Sequence, residues 1–153
     1  MSSSAQVVSS SLSSSLPPRL YRRWLHPLHG MLLGAANAFF ISALLCDWGY
    51  FASHEIQWKN FACWLIIGGL LVCGCALLWA LVDLVRIDLD RGRRAIAFVL
   101  LLAAFVLGVI GELVHAKDAW ASMPEALIVS AIVAVLAIAA TTVGFSTPWP
   151  GGR

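Results

Sequence analysis

Asn60-Phe-Ala-Cys-Trp-Leu-Ile-Ile-Gly-Gly-Leu-Leu-Val-Cys-Gly-Cys-Ala-Leu-Leu-Trp-Ala-Leu-Val82 runs from end to end without a charged side chain. Coiled as an α-helix at ~1.5 Å per residue, such a stretch outreaches the ~30 Å hydrocarbon core of a bilayer. A strand is excluded on two grounds. Unpaired backbone groups cannot face lipid, and the run is about twice the ~10 residues of a barrel strand.

Three further runs of the same kind lie to either side. Gly30 to Cys46 is uncharged, and the apolar character continues through Asp47 to Phe51. Ala95 to Gly111 is uncharged and continues to about His115, and Ala126 to Phe145 carries no charge at all. The sequence therefore predicts an all-α integral membrane four-helix bundle over residues 24–145, with helices at about 30–51, 60–87, 95–116 and 124–145. Composition agrees. The chain has 153 residues, 60% hydrophobic and 12% charged, where soluble domains average ~45–50% and ~25%. Its mean hydropathy is +0.85. There is too little polar surface to coat a water-soluble globule, and a net charge of +2 offers nothing for nucleic acid. The bilayer is the expected partner.

Residues 1–19 are Ser-rich and end in Pro17-Pro18, which predicts a disordered tail. The tail has neither the basic start nor the apolar core of a signal peptide. Residues 146–153 form a short C-terminal tail. The basic residues set an expected orientation. Arg19, Arg22, Arg23, Arg86, Arg91, Arg93, Arg94 and Arg153 fall on one side of the predicted bundle, against Lys59 and Lys117 on the other. The positive-inside rule then places both termini and the middle loop in the cytoplasm. Trp48, Tyr50, Trp58, Trp64 and Trp120 would form an outer aromatic belt, and Tyr21, Trp24, Trp79 and Trp149 an inner one. Arg91-Gly-Arg-Arg94 reads as a basic turn against anionic headgroups. Ser122-Met-Pro-Glu125 reads as a capping box opening the last helix.

Small residues let membrane helices approach closely. The stripes are Gly30, Gly34 and Ala38 in the first helix, and Gly69, Ala76 and Ala80 in the second. The third helix has Ala104, Gly108 and Gly111, and the fourth has Ala126, Ser130 and Ala134. Packing inside the bundle is the plain reading, and a homodimer seam the sharper one. The four cysteines, Cys46, Cys63, Cys73 and Cys75, read as small hydrophobes. A Cys46–Cys63 bridge is a remote alternative.

Ionisable groups at membrane depth are costly and are candidates for function. Asp83 shares the small-residue side of its helix, near the inner surface and level with His29. Glu112 and His115 are one turn apart on the Ala104–Gly108 stripe, near the outer surface. Asp47 lies at a depth similar to Glu112 but off the glycine stripe of its own helix, so the wheel turns it away from Glu112. The plain reading for each is a polar group reaching headgroups or water. Mid-membrane Asn37 is expected to hydrogen-bond between helices, and His54 to be a solvated loop histidine.

Leu25-His-Pro-Leu-His-Gly30, leading into a helix that ends Leu45-Cys-Asp-Trp48, resembles the opening of a bacterial membrane-protein family, that of domain of unknown function 2231. So does Phe61-Ala-Cys-Trp-Leu-Ile-Ile-Gly-Gly69 onward to Ala80-Leu-Val-Asp83. The resemblance spans roughly residues 24–145. It departs from the family in the first helix, which has Ala and Asn where many members have Pro, and at Thr141-Thr-Val-Gly144 in the last, as in a divergent subgroup. It implies a four-helix protein of the bacterial inner membrane without established activity and singles out His26, His29, Asp47 and Asp83. Because relatives are often encoded beside periplasmic quinoprotein sugar dehydrogenases and cytochromes, it also implies a membrane or periplasmic redox protein as partner.

The sequence holds no nucleophile–base constellation, so a non-catalytic scaffold or accessory subunit of a membrane or respiratory assembly is expected, with no cofactor and no metal. The alternatives are an electron carrier with b-type haem, and a small transporter or proton pathway. Haem wants two histidines on facing helices at one depth, and a zinc site gathers three or four ligands. His26 and His29 come from one segment, and His115 has only the loop residue His54 at its level. The purified protein is therefore expected to be colourless.

Overall fold

The computed structural model describes residues 27–86, 91–117 and 119–146. Pro27 opens the first helix, α1 (Pro27–Ser53), at a position where its missing N–H costs nothing. α1 ends because His54 adopts a left-handed φ of 61° and its N–H closes on Tyr50 O at 2.8 Å. Histidine tolerates that conformation better than a branched residue. α2 (Ile56–Arg86) follows almost at once, and α3 (Arg91–His115) after the middle connection. A short 3₁₀ turn (Ala119–Ser122) leads to α4 (Glu125–Phe145). The four helices are long and apolar enough to cross a membrane. They extend a few residues past several of the predicted ends, because the polar flanks continue the helix beyond the apolar run.

The expected capping box does not form. Pro124 is the N-cap of α4, without a side-chain cap bond, so Glu125 stands at the first helical position instead of the third. Proline disfavours helical dihedrals at the residue before it, which works against an earlier start of the helix. Glu125 accepts instead from Lys117 Nζ at 2.6 Å, on the surface.

α1 packs on α2 and α4, and α3 packs on α4 and α2. Successive helices are antiparallel. The α1–α2 and α3–α4 connections therefore share one end of the bundle, the hairpin end, and the α2–α3 connection marks the other, the terminal end. Phe40 approaches Gly108 and Asp47 meets His115. These pairs share one sequence offset, so α1 and α3 run parallel across the diagonal.

The interior is made of Leu33, Ala36, Phe40, Cys73, Ala76, Leu101, Ala104, Val133, Ala134 and Ala137. The large apolar side chains Leu45, Trp64, Leu71 and Leu113 point outward. This is the distribution of a bundle solvated by lipid, with small residues inside and large ones outside. The small stripes of α3 and α4 are buried as expected, as are Gly69 and Ala76 of α2. The stripe of α1 is not. Gly34 and Ala38 are exposed, and the buried face is His29, Leu33, Ala36, Phe40, Ala43, Asp47 and Tyr50. The reason is steric. α1 contributes the large groups, Phe39 and Phe40, and the glycines that receive them are Gly68 and Gly69 of α2.

Of the expected outer belt, Trp48, Trp58 and Trp64 are exposed, whereas Tyr50 is buried in the interior. The Trp120 side chain lies outside the described residues. At the terminal end Trp79 stacks on His29, with ring centroids 6.2 Å apart. His26, the N-terminal tail, residues 147–153 with Trp149, Tyr21, Trp24 and the arginines before Pro27 also lie outside the described residues. The four cysteines are free, including Cys46 and Cys63.

Candidate functional site

Asp47 is one of the most deeply buried groups in the protein, at 0% exposure. It sits on the inward stripe of α1, two turns before the helix ends. His115, the last residue of α3, is buried beside it, and its Nε2 lies 2.7 Å from Asp47 Oδ1. Ser130, in the second turn of α4, donates its hydroxyl to Asp47 Oδ2. His115 Nδ1 is 2.8 Å from Gly111 O, one turn back on its own helix. One carboxylate thus ties α1 to α3 and α4, and both of its oxygens are used.

The expectation that Asp47 faces away from the Glu112–His115 pair is overturned. It rested on taking Gly30, Gly34 and Ala38 as the packing stripe of α1. Once Phe40 defines the inner face, Asp47 falls two turns further along that same face. Its partner is His115, while Glu112 stands one turn before on α3 and interacts electrostatically with both. Glu112 is half-buried, and its Oε2 is buried without a hydrogen-bond partner.

Two residues at this end do not stand out from sequence as polar partners. Ser130 falls with Ala126 and Ala134 on a stripe of small packing residues. Its place on that inward stripe was the available signal, since a buried hydroxyl needs an acceptor. Lys59 is buried, and its ammonium donates to Lys117 O at 2.7 Å, supplying a cation to the C-terminal end of α3. No sequence spacing could have paired Lys59 with a backbone carbonyl on another hairpin.

The other polar residues lie elsewhere. Asn37 donates from Nδ2 to Thr141 Oγ1 at 2.7 Å, tying α1 to α4 as expected of a mid-membrane asparagine. His29 is buried at the terminal end with Nδ1 unpartnered, and half-buried Asp83 is close enough to interact with it electrostatically. The expected alternative partners of Asp83, Arg22 and Arg23, lie outside the described residues. Arg93 donates to Ser146 O, which closes the C-terminal end of α4.

Asp, His and Ser together invite comparison with a hydrolase triad, but the order is wrong. In a triad the histidine lies between the acid and the hydroxyl, and takes the hydroxyl proton. Here the carboxylate lies between, so the imidazole does not reach Ser130, whose hydroxyl is held by Asp47. A metal is no better served. Among the described residues no group of three His, Cys, Asp or Glu side chains is arranged to hold one.

No curated protein and no solved structure matches the chain. A family model described as predicted membrane protein (DUF2231) matches residues 25–152. That match takes in all four helices, the inward stripe of α1 with Asp47, and the His115 and Ser130 that meet it, so the chain belongs to the family of predicted membrane proteins of domain of unknown function 2231.

Proposed function

We propose that this chain is a non-catalytic membrane module, a scaffold or accessory subunit of a membrane or respiratory assembly in the bacterial inner membrane, with both termini cytoplasmic. The observation that carries the reading is how the buried polar groups are used. The hairpin-end cluster and the Asn37–Thr141 pair are bonded across helices, as struts are. Between them Phe40 and Ala43 are buried at 2% and 1% exposure, beside a mostly apolar cavity of about 10 Å³, and Leu33 and Ala36 separate Asn37 from His29. These apolar layers disfavour a proton or solute path through the bundle. The histidines disfavour a haem bridge: His29 and His115 stand at opposite ends, and both ring nitrogens of His115 are engaged.

An accessory subunit has a partner. Extraction in a mild detergent is expected to bring down one protein in fixed ratio to this chain, a membrane or periplasmic redox protein. Purification of the chain alone, with a Soret band that His115→Ala removes, would replace this reading with the electron carrier. The orientation has its own test. Reporter fusions at Ser53 and Lys117 are expected to read as external, and one at Arg91 as cytoplasmic. The opposite pattern inverts the topology.

A further inference from the structure

A carbonyl oxygen can only accept a hydrogen bond. The 2.8 Å contact between His115 Nδ1 and Gly111 O therefore fixes a proton on Nδ1. The 2.7 Å contact between Nε2 and Asp47 Oδ1 needs another. If Asp47 is a carboxylate, Nε2 donates and the ring is an imidazolium. If the ring is neutral, Nε2 accepts and the carboxyl group of Asp47 donates. The two descriptions differ only in where one proton lies along one short bond. Both hold one proton more than a carboxylate beside a neutral imidazole. Ser130 does not change the count, because it donates its own proton to the other oxygen, Oδ2.

We propose that the Asp47–His115 pair is a proton-binding site, and that Glu112 carries its proton to and from the water at the hairpin end. Glu112 and His115 are three apart on α3, which brings their Cβ atoms within about 5–6 Å. Glu112 Oε2 is buried with no hydrogen bond of its own, so an acceptor stands free beside the pair. Among the described residues, the protonatable groups around the site include Cys46 and Tyr50 on α1, Lys59 and Cys63 on α2, and Glu112 on α3. α4 contributes the hydroxyl of Ser130. Lys59 and Glu112 are both close enough to interact with Cys63, which sets them on one side of the cluster.

The charges explain why the proton is held. With it in place the pair is neutral overall, and Lys59 offsets Glu112. Release moves the proton to the buried Glu112 Oε2, and rotation of this half-buried carboxyl group then delivers it to water as hydronium. Release leaves the Asp47 carboxylate facing the lone pair of Nε2, with one uncompensated negative charge in an interior that cannot solvate it. Deprotonation is therefore coupled to loosening of α1 from α3. Exchange takes place at the hairpin end, because toward the bundle centre the site is followed by the buried apolar groups Phe40 and Ala43, which line only a small cavity of about 10 Å³ with Ser130. The inference is independent of whether the chain is an accessory subunit.

The test is nitrogen NMR of the full chain, labelled with ¹⁵N-histidine and held in phospholipid nanodiscs at about pH 7.5, where a solvated imidazole of pKa ~6.5 is mostly neutral. His115 is assigned by its loss in His115→Gln. Two results support the site. Either both ring nitrogens of His115 are protonated, or one is bare while infrared spectroscopy shows a protonated carboxyl band that Asp47→Asn abolishes. A bare ring nitrogen beside an ionised Asp47 in the folded protein overturns it. Glu112→Gln is expected to leave the His115 signals in place and to slow hydrogen exchange at the shared proton by about tenfold or more. An unchanged exchange rate removes Glu112 from the proposal.

Discussion

Asp47→Ala is expected to lower the stability of the bundle by about 3–5 kcal/mol, the usual cost of breaking a buried ion pair by removing one partner. The carboxylate is fully buried and is the acceptor for groups on two other helices. Without it, His115 Nε2 and Ser130 Oγ lose their shared acceptor in the bundle interior. The membrane moderates the figure, because an unfolded chain in lipid also finds polar partners; the lower end of the range is the better expectation. Asp47→Asn should cost much less. Its amide can donate to a neutral Nε2 while its carbonyl accepts from Ser130. Asp47→Leu combined with His115→Leu should recover most of the loss, since replacing both members of a buried pair by apolar groups is often neutral. Reversible unfolding in mixed detergent micelles measures all three. If Asp47→Ala unfolds like the parent protein, the cluster does not hold the helices together.

The four spans could be read from the sequence because lipid imposes a constraint that needs no tertiary information: an uncharged run long enough to cross is a helix. Asn37 could be read for a related reason, since an amide at mid-membrane must find a partner within the protein. The hairpin-end cluster could not be assembled the same way. Glu112 and His115 were placed at the outer end of α3, and Ser130 on the inward stripe of α4. The sequence pattern turns Asp47 outward only if small residues mark the inner face of every helix. That rule holds for α2, α3 and α4. It fails for α1, where bulk and space change places: Phe40 is the knob, and the hole belongs to Gly69. A one-dimensional pattern shows where the small residues are, but not which of two packed helices supplies the knob. Lys59 is a second case. Its partner is a backbone carbonyl at the end of α3, and every residue has such a carbonyl, so composition carries no signal for it. Ser122-Met-Pro-Glu125 is a third, where the residue types of a cap were present and proline forbade the geometry.

The exchange of knob and hole yields a paired prediction at two glycines. Gly69→Val is expected to destabilise the bundle by about 3 kcal/mol, the upper end of the overpacking range. A Cβ at Gly69 would lie 2.8 Å from Phe40 Cε1 and 3.2 Å from Phe39 Cβ, both closer than van der Waals contact. Phe40 has little room to swing aside, because its ring is only 2% exposed and the cavity it lines with Ala43 and Ser130, about 10 Å³, is no larger than one water. Relief must come from separating α1 and α2, and that separation also pulls on Asp47, two turns along α1. At Gly34, which is exposed, an added Cβ meets nothing within 4 Å, and the expected effect of Gly34→Val is within about 0.5 kcal/mol. Both glycines are helical, so any gain in intrinsic helix propensity is common to the two variants and cancels in the comparison. The glycine stripe of α1 as an internal packing face predicts the reverse order. A homodimer seam along that stripe predicts a third result: Gly34→Val would leave the unfolding of each chain unchanged while lowering the apparent mass in a mild detergent. Unfolding curves together with mass measurements on the two variants separate these outcomes, and equal destabilisation by both would mean that Phe40 does not seat against Gly69.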